Sequence, residues 1–146
     1  MKAVTTALLA AALGAAATTS AAAQNTYQQQ IRTQMANHTQ TVRQQGYSPE
    51  RELITGSLND DASEAMRLTL QGGTRYVIIG ACDNDCSDVD LRIWAPDGTK
   101  IDEDILTDDT PIIEFVAPVT GVYRLSVEMP SCRQNPCYWG VQVFSR

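Results

Sequence analysis

The chain has 146 residues, 11 Lys and Arg against 17 Asp and Glu, a formal net charge of −6, four cysteines and one histidine. That length suits one domain and is too short for an enzyme with a separate cofactor domain. The acidic balance argues against nucleic-acid or anionic-membrane binding, which needs a basic face. Any Cys–His or Ser–His–Asp site would have to use His38.

Residues 1–23 read as an address. Met1-Lys2 is a short positive start, residues 3–17 are apolar or small, and Ala21-Ala22-Ala23 places small residues at −3 and −1 of a cut before Gln24. The apolar run is shorter than the ~20 residues of a membrane span, and no basic stop-transfer run follows it. The expectation is an exported bacterial protein, periplasmic or secreted, with no membrane insertion after signal removal. Cleavage also removes Lys2, leaving a net charge of −7 (10 − 17).

Residues 24–46 carry eight Gln and no acid. Tyr27, Ile31, Met35 and Val42 recur at helical spacing, one narrow apolar stripe, and Gly46 stands where a helix stop belongs. His38 falls on the polar side of that stripe, where a solvated role is the default. Residues 24–52 are expected to form a helical arm and linker, and 53–146 a separate sandwich domain. The sequence leaves open whether the helix docks or swings free.

From about residue 53 the period changes to two. Met66, Leu68 and Leu70 alternate with polar residues, and Gln71-Gly72-Gly73-Thr74 is a turn. Tyr76 to Ala81 is a continuous apolar strand. Val89, Leu91 and Ile93 alternate with Asp90 and Arg92, and Pro96-Asp97-Gly98 turns the chain. A weaker strand is expected around 100–106, then strands at 112–116, 123–129 and 138–144. Short strands broken by frequent turns, with no helices between them, predict a mainly β fold: an antiparallel sandwich behind one N-terminal helix.

Cys82, Cys86, Cys132 and Cys137 form an even set in an exported chain, so two disulfides are expected. Local pairs, 82–86 and 132–137, are favoured; the alternative is that the two loops lie side by side and the pairs cross. Between residues 83 and 109 stand ten carboxylates, offset only by Arg92 and Lys100. The tightest group, Asp83, Asp85, Asp88 and Asp90, offers the hard oxygen ligands that Ca²⁺ requires, although Asp88 stands where an EF-hand needs glycine. The bland reading is an acidic rim that keeps an exported protein soluble. Trp94 and Tyr138 are the candidate binding aromatics, while Trp139 fits the inward face of the last strand. No nucleophile elbow, phosphate loop or zinc-protease motif is present, so no catalytic residue is assigned.

Leu70-Gln71-Gly72-Gly73-Thr74-Arg75-Tyr76, Asp88-Val89-Asp90-Leu91, Ala95-Pro96-Asp97-Gly98 and Val119-Thr120-Gly121-Val122-Tyr123-Arg124-Leu125-Ser126-Val127 stand in that order. In these pieces the chain resembles the bacterial pre-peptidase C-terminal domain family, whose members read "aG-x-x-Y", "D-x-D-L", "p-x-G" and "tG-x-Y-x-l-x-V". The resemblance implies a jelly-roll-like β-sandwich of the kind appended to secreted proteases, binding a polymer, a surface or another domain. Related collagen-binding domains hold Ca²⁺, but their ligands do not match here residue by residue. Two cysteine pairs set this chain apart, and the module is expected to stand without a protease domain. The resulting expectation is a monomeric, exported, non-catalytic module that binds a protein or polysaccharide surface. The alternatives are a structural or stress-related envelope protein with a Ca²⁺-binding acidic loop and, further off, a small hydrolase.

Overall fold

In a computed structural model, the structure describes residues 17–146. The first 16 residues of the expected signal sequence lie outside the described residues. One helix, α1 (Ala17–Gln44), runs across the expected cleavage point and precedes nine strands. No helix among the described residues is long and apolar enough to cross a membrane.

The strands are β1 (Ser48–Pro49), β2 (Ile54–Leu58), β3 (Ala62–Leu70), β4 (Arg75–Cys82), β5 (Cys86–Trp94), β6 (Lys100–Asp104), β7 (Ile112–Val116), β8 (Gly121–Cys132) and β9 (Cys137–Ser145). They form two antiparallel sheets. In the first, β1 and β2 both pair with β9, which pairs with β4, which pairs with β7; in the second the order is β3-β8-β5-β6. Only β5 and β6 are consecutive partners within one sheet; every other connection from β2 onward crosses between sheets. That winding is a jelly roll.

Alternation builds the core. Leu68 and Leu70, Val89, Leu91 and Ile93, Tyr123, Leu125 and Val127, and Trp139, Val141 and Val143 point between the sheets and are buried. β4 breaks the alternation for a reason. Tyr76 and Ile78 face this core, while Val77, Ile79 and Ala81 face a second cluster with Met35, Val42, Tyr47 and Phe144. The run is continuously apolar because α1 covers its other face.

The helix is docked. Ile31, Met35 and Val42, three members of its apolar stripe, are buried, worth roughly 1.5–3 kcal/mol each for full burial. It ends in a Schellman turn: the Tyr47 N–H donates to the Val42 carbonyl at 3.1 Å and the Gly46 N–H to that of Arg43 at 3.0 Å. Gly46 supplies the positive φ of 88°. The residues beyond it belong to the sheet. Ser48 and Pro49 pair with Ser145 and Phe144, and the Tyr47 hydroxyl donates to Glu114 at 2.6 Å.

Two turns at one end of the sandwich lock together. The Gly72 N–H donates to the Thr120 hydroxyl at 2.9 Å, and a Cβ on Gly72 would stand 2.8 Å from the Val119–Thr120 backbone. The Tyr76 hydroxyl accepts from the Gln71 N–H, and the Tyr123 hydroxyl donates to the Val119 carbonyl at 2.7 Å. These contacts give the glycines and tyrosines of both turn motifs a structural task.

Candidate functional site

The outer face of the four-stranded sheet carries the most distinctive surface. On β5, Asp88, Asp90, Arg92 and Trp94 point outward because Val89, Leu91 and Ile93 point in. Arg92 is held among acids: its Nε donates to Glu103 on β6 at 3.0 Å, and its Nη1 pairs with Glu128 on β8. One step along, Trp94 is the register partner of Arg124, whose guanidinium lies 3.7 Å from the ring centroid. Arg124 is in turn the register partner of Arg67 on β3.

Trp94, Arg124 and Arg67 line an open groove of about 430 Å³ with Met66, Pro96 and Val122, within the size range of small-ligand sites. The Pro96-Asp97-Gly98 turn walls one end. Gly98 takes a φ of 87°, and Pro96 rests on the start of β8, where a Cβ on Gly121 would stand 2.7 Å from its ring. Val122 is 48% exposed.

Tyr138 lies elsewhere. It is on β9, in the other sheet, and its ring stacks on Tyr27 of α1 at 5.3 Å between centroids. The helix covers it, so Trp94 and Tyr138 form no common platform.

The acidic residues are also divided. The bonded pairs Cys82–Cys86 and Cys132–Cys137 brace two adjacent loops, and Cys86 is the register partner of Cys132. Asp83 is buried between these loops. Its carboxylate accepts from the Asp85 N–H at 3.0 Å and the Tyr138 N–H at 2.7 Å, so both oxygens are engaged by backbone. Asp85 accepts from the Tyr27 hydroxyl, which with its negative charge raises the phenol's pKa. Asp88 and Asp90 lie on the sheet face, across bulges in the β5–β8 ladder. Each has one buried carboxylate oxygen without a hydrogen-bond partner. Burial pushes Asp88 up; burial and then the neighbouring Asp88 push Asp90 up to about 6, against the pull of Arg92. Among the described residues no three His, Cys, Asp or Glu side chains converge as a metal ion needs. The expected Ca²⁺ set is thus split between a backbone-binding turn residue, a residue against the helix and two on the sheet face.

His38 is half-buried on α1, beside Val42, Val77 and Ile112 in a small crevice over the five-stranded sheet. It is on the opposite side of the sandwich from the groove.

No family model matches the sequence, and no curated protein matches it. Among solved structures the chain is similar to Aeromonas hydrophila PliG, a periplasmic lysozyme inhibitor of g-type lysozyme. The identity is 14% and the TM-score 0.48, over 65% of this chain and 85% of that one. A likeness of that degree leaves activity and partner to be argued from the chain's own residues.

Proposed function

We propose that this chain is an exported, non-catalytic module of the pre-peptidase C-terminal type, binding a protein or polysaccharide surface through the Trp94 groove. The observation that carries this reading is Trp94 itself. A large aromatic stands half-exposed on a rigid sheet, held by Arg124, in a groove open to solvent. Tryptophan and arginine are the residue types that contribute most to binding when an interface covers them.

Two further observations support a binding role over catalysis. All four thiols are committed to disulfides, and the one imidazole sits on the far side of the sandwich. The disulfides also fit an oxidising compartment. The split of the acidic set gives the calcium-holding alternative no support.

The test is recovery of envelope components by the immobilised protein and by its Trp94→Ala variant. Recovery that the variant loses, with an unchanged melting curve, supports the reading. Equal recovery by both, or none above background, overturns it.

A further inference from the structure

The binding reading leaves two arginines unexplained. Arg67 and Arg124 stand directly opposite each other on β3 and β8, and like charges so placed destabilise a sheet. Among the described residues neither makes an ion pair, whereas Arg92 on the adjacent strand holds Glu103 and Glu128. This occurs in a chain with 17 carboxylates for 11 cations. The acids of this face gather around Arg92, and two exposed cations are left beside the groove.

The guanidinium of Arg124 lies over Trp94, so its plane is pre-set while its N–H donors remain available. A planar fork of donors matches a carboxylate, which it can bind through two parallel hydrogen bonds. Because the guanidinium covers one ring face, that face is closed to the flat stacking by which a sugar would bind. Pro96 and Val122 supply an apolar rim beside the two charges.

Resting on the binding reading above, we infer that Arg67 and Arg124 form a carboxylate-binding site, and that its occupant is a segment of a foreign protein presenting Asp or Glu beside an apolar residue. The charge complementarity rests on the pairing: two cations stand opposite each other on adjacent strands in one groove, and among the described residues no carboxylate neutralises either. Arg67 and Arg124 give the electrostatic register, and the Val122–Pro96 rim gives the apolar contact.

The experiment is selection of a random 12-residue peptide library on the protein expressed from the full chain, followed by binding assays on the enriched peptides. The expected peptides carry Asp or Glu next to an apolar residue. Their affinity falls at least tenfold in Arg67→Gln and in Arg124→Gln. It is unchanged in Arg43→Gln, which alters an exposed helix residue. Melting curves of the groove variants should match the parent or lie above it, since each removes one of two opposed charges. Enriched peptides without acids, or equal binding by the Arg67→Gln/Arg124→Gln double variant, overturn the inference. Arginine-dependent binding of trigalacturonate with no acidic peptide selected also overturns it, yet leaves the surface-binding reading standing. A dimer that Arg124→Gln dissolves would put a second copy in the groove and overturn the foreign partner. The wider reading fails separately, in the Trp94→Ala recovery test.

Discussion

Ile31 of α1 sits where β9 has no side chain: a Cβ on Gly140 would stand 2.4 Å from Ile31 Cγ2 and 3.3 Å from Leu53. The helix approaches the sheet this closely because Gly140 leaves a gap that the isoleucine fills. The apolar stripe of α1 and the glycine of the last strand are two halves of one contact.

Gly140→Ala should therefore overpack this seam. The expected cost is about 1–3 kcal/mol, read as a lower urea midpoint at unchanged slope. Ile31→Ala in the same background should recover part of the loss, because it removes the methyl that the new Cβ meets. Additive effects would show that the helix does not pack there.

Asp90 predicts a pH dependence. Its folded pKa is raised to about 6 from an ordinary 3.8, so the folded state holds the proton more tightly than the unfolded chain. The stabilising contribution is therefore complete below pH 4 and is lost as pH rises through 6. Asp90→Asn should raise unfolding stability by about 2–3 kcal/mol at pH 8 and leave it unchanged at pH 4. Denaturant melts at the two pH values measure the difference. A gain of equal size at both would assign the effect to packing instead.

Calcium provides a third check. A site holding Ca²⁺ a hundredfold above its dissociation constant would add about 2.7 kcal/mol, a shift of several degrees for a domain of this size. Because no three of the described acids converge on one point, millimolar Ca²⁺ after EDTA treatment should leave the melting temperature within about one degree. A larger shift lost in Asp88→Ala would show that the sheet-face pair binds the ion.

The second disulfide closes a short loop, Cys132 to Cys137. Replacing both residues with serine should cost about 2 kcal/mol, the entropy of a loop of that length. The measurement is the thermal midpoint of the non-reduced proteins. Loss of folding would mean that the loop also holds its neighbour, through the Arg133 N–H bond to the Asp85 carbonyl.

Much of the fold is legible locally. The period-two runs at 89–93 and 123–129 correspond to β5 and β8, whose alternation alone separates core from surface. The turn at Pro96-Asp97-Gly98 and the stop at Gly46 follow from residues that tolerate positive φ. β1 and β2 are not singled out by pattern, because Ser48–Pro49 and Ile54–Leu58 are short, weakly apolar strands defined by pairing with β9. The weak strand expected to 106 ends at Asp104, after which Ile105 and Leu106 are exposed.

The site was less legible. As a candidate binding aromatic Trp94 is legible in the sequence, since its parity is opposite to that of Leu91 and Ile93. Arg67 and Arg124 are not legible in this way, because an arginine among alternating strand residues reads as an ordinary solvated position. Their opposition is a matter of register between strands more than fifty residues apart, which neither segment encodes alone. The aspartates show the converse: adjacent in sequence, they are parted by a turn, a bulged ladder and the pleat.

Strand content and the inward face of each main strand are properties of nearby residues, so composition and periodicity are enough to read them from this chain. Which face the helix covers, which acids meet and which arginines stand unpaired are long-range matters of sheet order and register. Those depend on the collective burial of both cores, and only the folded molecule decides them.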